Sequence, residues 1–233
     1  MKKKNLIGET YLLTLIKEIK SLLYKEILQE KQGKYIINSM LMFSLLLIAI
    51  VVFPFSKADI GEDTKNILYW VIIYFSATAG LSNVFVKESQ RNTLLTLKLY
   101  YSPNAIILGK TIFNFVFLMF SVTIITFVYT ELFSFDLKSI PSIFAVLSLS
   151  CLGIAFSGTL LSALISQVAN QGSLFMIVGF PVLFPVFMIS INATELIITS
   201  GNLPLDSILI IALYDLISIS LSLLVFETIW EHS

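Results

Sequence analysis

The stretch Val84-Phe-Val-Lys-Glu-Ser-Gln-Arg-Asn-Thr-Leu-Leu-Thr-Leu-Lys-Leu-Tyr-Tyr-Ser-Pro-Asn-Ala-Ile-Ile-Leu-Gly-Lys110 is the longest polar interruption between two hydrophobic spans of this chain. It carries Lys87, Glu88, Arg91, Lys98 and Lys110 in a protein where charged residues are only 13% of the total. The spans on either side of it are apolar. Hydrophobic residues make up 57% of the 233, and the mean hydropathy is +0.90. A soluble domain of this size would leave large apolar patches in water. The sequence is therefore that of an all-α polytopic membrane protein, and the quoted stretch is its structured polar surface on one side of the bilayer.

Six hydrophobic spans are expected, each near the ~20 residues that a bilayer core requires. They cover Tyr35–Phe53, Ile67–Val86, Ala105–Val128, Ile143–Ile165, Leu174–Ile191 and Ser207–Phe226. Between the fourth and fifth, Gln167, Asn170, Gln171 and Gly172 signal a turn. Residues 1–34 read as a separate amphipathic helix. In it Leu12, Leu15, Ile16, Ile19, Leu22, Leu23 and Ile27 recur at helical spacing, while Lys17, Lys20, Lys25 and Glu26 fall mostly off that stripe. Thr10 is the expected cap. Such a helix, lysine-rich and just ahead of a span, is expected to lie in the membrane interface. Residues 35–227 are expected to form the six-helix transmembrane domain and 228–233 a short tail.

Orientation follows from Lys and Arg near the span ends. Twelve of them, eight in the N-terminal segment plus Lys87, Arg91, Lys98 and Lys110, fall on one side; Lys57, Lys65 and Lys138 fall on the other. Both termini and the 87–103 loop are thus expected in the cytoplasm of a bacterial-type inner membrane. The zero net charge offers no basis for nucleic-acid binding.

Within the spans, small residues at four-residue spacing mark close helix contacts: Gly158, Ser162 and Ser166, Gly153 and Ser157, and Ser76 and Gly80. Packing inside one protomer is expected ahead of a dimer seam. Pro181 and Pro185, with Gly179 just before, each remove a backbone donor and should bend or break the fifth span as a hinge. Asp215 lies near the middle of the sixth span, where a carboxylate costs at least ~2.5 kcal/mol. It is expected to face the bundle interior and to bond with Asn114 or Lys110 of the third span.

The sequence carries none of the usual catalytic constellations. The single histidine, His232, leaves no Ser–His dyad and no HExxH zinc site, and no Gly-x-x-x-x-Gly-Lys-Ser/Thr loop occurs for ATP. The one cysteine, Cys151, supports neither a disulfide nor a thiol pair. No metal or resident cofactor is expected. In the 87–103 loop, Leu94, Leu97 and Tyr101 would share one face of a helix that stops before Pro103, although Leu95-Thr-Leu-Lys-Leu99 also alternates like a strand.

A charged segment ending in Ser102-Pro103, followed by Leu108-Gly109-Lys110 and preceded by an amphipathic N-terminus, resembles the CcmB-type permease of cytochrome c maturation. So does Gly179-Phe-Pro-Val-Leu-Phe-Pro185. The family's loop shows an acidic residue and a glycine; here Glu88 supplies the first, and Asn92 stands at the second. The resemblance implies the membrane subunit of an ATP-binding-cassette complex, present in two copies, with haem as the substrate of the complex and ATP bound by a separate ATPase subunit. It also implies haem-handling membrane proteins as partners, and an ATPase-coupling role for Lys87, Glu88, Arg91, Lys98, Ser102 and Pro103. A generic exporter permease for another substrate, and a non-transporting scaffold for haem-complex remodelling, remain alternatives at this point.

Overall fold

A computed structural model describes residues 2–33, 35–55, 60–85, 88, 93–133, 139–166 and 171–232. Among these every regular element is an α-helix: α1 Lys2–Gly33, α2 Tyr35–Phe55, α3 Glu62–Leu81, α4 Leu94–Tyr100, α5 Pro103–Phe133, α6 Ile140–Ile165, α7 Gln171–Ser200 and α8 Leu205–His232. Four of them, α5 to α8, are long and apolar enough to cross a membrane.

The helix boundaries follow from local chemistry. Pro103 opens α5 and Pro141 sits in the first turn of α6, where the missing donor is harmless. Tyr101 is extended ahead of Ser102-Pro103, which ends α4 at Tyr100. Gly201 adopts a left-handed φ of 73° and its amide closes back on Ile197 carbonyl at 2.8 Å, a terminating turn that lets α8 start at Leu205 and run antiparallel to α7.

α6 is the central helix, packed against α5, α7 and α8. Its small residues let neighbours approach. A Cβ on Gly158 would stand 2.6 Å from Leu81 Cδ1 of α3, and one on Gly153 would run into Asp215 and Tyr214 of α8. Gly80 is filled in the same way by Met40 of α2. These are contacts within one protomer, as expected from the small-residue spacing.

Where the bundle leaves one face, polar side chains tie the helix ends. Asn66 donates to Ile191 carbonyl (2.8 Å), Trp70 Nε1 to Thr194 Oγ1 (3.0 Å), and Tyr129 hydroxyl to Lys65 carbonyl (2.7 Å). They bring the start of α3 and the ends of α5 and α7 to one end of the bundle. α1, α4 and the end of α8 gather at the opposite end.

Several sequence-based boundaries shift. α3 starts at Glu62 and ends at Leu81 rather than spanning Ile67–Val86, because Asn83 and Val84 amides turn back on Gly80 and Leu81 carbonyls in tight three-residue steps. α7 begins at Gln171, so Gln171 and Gly172 belong to the helix, while Gln167 and Asn170 lie outside the described residues. α7 is not broken by its prolines: the helix is continuous through Pro181 and Pro185, which face outward, whereas Gly179 is buried with Leu161 Cδ2 3.2 Å from where its Cβ would be. Thr10 is not a cap, since α1 is already helical from Lys2. Helix α8 runs on to His232.

Candidate functional site

The site grows from the lysine that ends the quoted stretch. Lys110 lies roughly two turns inside α5, and its side chain is 1% exposed. A buried ammonium needs partners for its three donors, and it has them. Nζ donates to Glu26 Oε1 of α1 at 2.9 Å, to Glu88 Oε1 at 2.9 Å and to Val84 carbonyl at 3.2 Å. The Phe85 ring, centred 4.8 Å from Nζ, closes one side. Lys25 of α1 bridges the same two carboxylates, reaching Glu88 Oε1 at 2.9 Å and Glu26 Oε1 at 3.1 Å. Burial alone would push the Glu88 carboxyl up, but the ammonium groups of Lys110 and Lys25 outweigh it and hold the group down at about 2.

Lys110 therefore does not pair with Asp215. It turns toward the polar end of the bundle because two carboxylates are within reach there. Nor does Asn114 pair with Asp215: its amide donates to Thr159 Oγ1 of α6 at 2.8 Å. The Asp215 side chain is buried against Gly153, with no hydrogen-bond partner for either oxygen among the described residues.

A second set of bonds secures the other end of the loop. Ser102 donates from both its amide (3.0 Å) and its hydroxyl (2.6 Å) to Glu18 Oε2 of α1, and Ser21 hydroxyl donates to Tyr101 hydroxyl at 2.9 Å. Leu22 fills the space above Gly109, where a Cβ would fall 2.5 Å from its Cδ2. Lys98 stacks over the Trp230 ring of α8 at 5.3 Å, and Phe226, Trp230 and Phe85 form one aromatic cluster.

Helix α4 resolves the helix-or-strand ambiguity of the loop. Leu97 is buried, and Leu94 and Tyr101 pack partly against the core, as the shared face requires. The opposite face is bare: Leu95 is 69% exposed, Leu99 84% and Tyr100 74%. Of the charged residues expected to meet a soluble partner, Glu88 is only 2% exposed and faces inward, and Lys98 is engaged with Trp230. Ser102 is committed to Glu18, and Pro103 opens α5. Lys87 and Arg91 lie outside the described residues.

Sequence reasoning missed Glu18 and Glu26, and placed Glu26 off the packed stripe of α1. The signal was the four-residue spacing Glu18, Leu22, Glu26, Glu30, a single helix face. The buried positions follow that spacing, while Leu12, Leu13, Ile16, Tyr24, Ile27 and Leu28 stay exposed.

Among the described residues no three His, Cys, Asp or Glu side chains come together as a metal site. The arrangement is a platform of α1, α4 and the base of α5, held by buried charge. No curated protein matches the chain. A family model described as CcmB protein matches residues 17–229, which take in the Lys110 cluster, α4 and nearly all of the four membrane-capable helices. The chain therefore belongs to the CcmB family, the membrane component of a haem-exporting ABC system in cytochrome c biogenesis.

Proposed function

We propose that this protein is the permease subunit of an ABC complex acting in haem export or haem-chaperone release, driven by a separate cytoplasmic ATPase that docks on α4. On this reading α2 and α3 complete six spans with α5 to α8, both termini are cytoplasmic, and α1 lies in the membrane interface with Leu12, Ile16 and Ile27 toward lipid. Two copies assemble with one pair of ATPase subunits and with haem-handling membrane proteins.

The observation that carries the reading is the bare apolar face of α4, Leu95, Leu99 and Tyr100, standing on a platform fixed to the N-terminal end of α5. An apolar face of that kind in water fits a groove on a soluble partner. ATP-driven movement of the ATPase would shift α4, and with it α3 and α5, against α7. Coupling of this sort needs differential contacts in two states, and α4 sits where the partner supplies them.

Affinity purification of the tagged chain in mild detergent tests the proposal. The expected companions are an ABC-type ATPase and haem-handling membrane proteins. Recovery with glycan- or lipid-exporting components, or without any ATPase, would overturn it.

A further inference from the structure

We infer that Lys110 is the positioning residue that locks the cytoplasmic platform into one body, so that α1, α4 and the base of α5 move together when the ATPase acts. The inference rests on the docking of the ATPase at α4 and goes on to say which groups carry its motion into the membrane.

Three separate segments converge on one buried nitrogen. Glu26 belongs to α1, Val84 and Glu88 belong to the connection from α3 to α4, and Lys110 itself belongs to α5. All three ammonium donors are used, so none is left to exchange partners. Lys25 ties the two carboxylates to each other across the same junction. On the far side of α4, Glu18 holds Ser102 and Ser21 holds Tyr101. α1 thus grips the loop before and after α4, and Lys110 fastens that grip to the span.

Charge shielded from water interacts strongly, and opening such a cluster strands a buried charge. The cluster therefore behaves as a lock with a closed state and a costly open one, not as a graded hinge. An exposed pair such as Lys65 with Glu62 would not serve, because water screens it. Lys110 is distinct from Lys98 of α4, whose contact is with the Trp230 ring of α8.

The test is a spin-label distance between Tyr24→Cys on α1 and Val116→Cys on α5, both exposed positions, in a Cys151→Ser background and in the complex purified with its ATPase. With Lys110 intact, the distance is expected to be the same without nucleotide and with a non-hydrolysable ATP analogue. In Lys110→Met the distance is expected to change on adding the analogue, with the ATPase still bound. A merely structural role would alter stability but create no nucleotide dependence. Should Lys110→Met fail to insert, the quadruple variant Lys25→Met/Glu26→Gln/Glu88→Gln/Lys110→Met removes all four charges of the cluster and gives the same reading. A nucleotide-dependent distance with Lys110 present, or a fixed one in its absence, would overturn the inference alone. Purification without an ATPase would instead overturn the docking reading, and this inference with it.

Discussion

At the scale of single residues, charge decides more than its scarcity suggests. Lys110, one of two partners expected for Asp215, looks instead toward the end of the bundle, because Glu26 and Glu88 offer two carboxylates there and Asp215 offers one. The Glu88 carboxyl, held at about 2 against an ordinary 4.5, makes the cluster pH-sensitive in a defined direction. A depressed carboxylate adds stability that is fully present above its unfolded value and is lost as pH falls through the folded one. Thermal unfolding in detergent should therefore show the melting temperature falling between about pH 4.5 and 2, with a smaller fall in Glu88→Gln. Equal falls in both proteins would remove Glu88 as the cause. Asp215 shows the reverse situation, a buried carboxylate whose oxygens no described side chain reaches.

At the scale of elements, close approach is set by glycine on α6. Gly158→Leu would press a branched side chain onto Leu81 and should destabilise by about 1–3 kcal/mol, the usual cost of overpacking. Gly158→Ala should cost much less, because the atom in the way is the movable end of Leu81. Retention on size-exclusion chromatography after graded heating separates the two variants, and identical behaviour would contradict the packing described. These contacts were legible beforehand, since hydropathy located each long helix and four-residue spacing of small residues located their seams. The helix ends were less so. Whether α3 stops at Leu81 depends on three-residue amide closures that leave no trace in composition. The path of α7 through Pro181 and Pro185 depends on which way those prolines face, and they face out. Glu26 was missed because an acidic residue on an amphipathic helix reads as solvent-facing until its buried lysine is known.

At the scale of the whole molecule, the alternation of α2, α3, α5, α6, α7 and α8 puts α1, α4 and the end of α8 at one end of the bundle, and Gly61 and Asn202 at the other. Maleimide labelling of Gly61→Cys and Asn202→Cys in intact cells, in a Cys151→Ser background, should succeed from outside without permeabilisation, while Thr96→Cys should require it. Labelling of Thr96→Cys from outside would invert the topology and separate the platform from any cytoplasmic ATPase. The sequence reads the platform as a charged surface; among the described residues α4 presents an apolar face on a charged foundation. Glu26, Glu88 and Lys110 are internal, holding α1, the loop and α5 together, so disruption of the proposed docking calls for changes at Leu95 and Leu99 and not at Glu88. The most direct measurement is affinity purification of Leu95→Glu/Leu99→Glu beside the unmodified protein in mild detergent. The account predicts that the variant reaches the membrane at an unchanged level and loses its ATPase; equal recovery of the ATPase with both would contradict it.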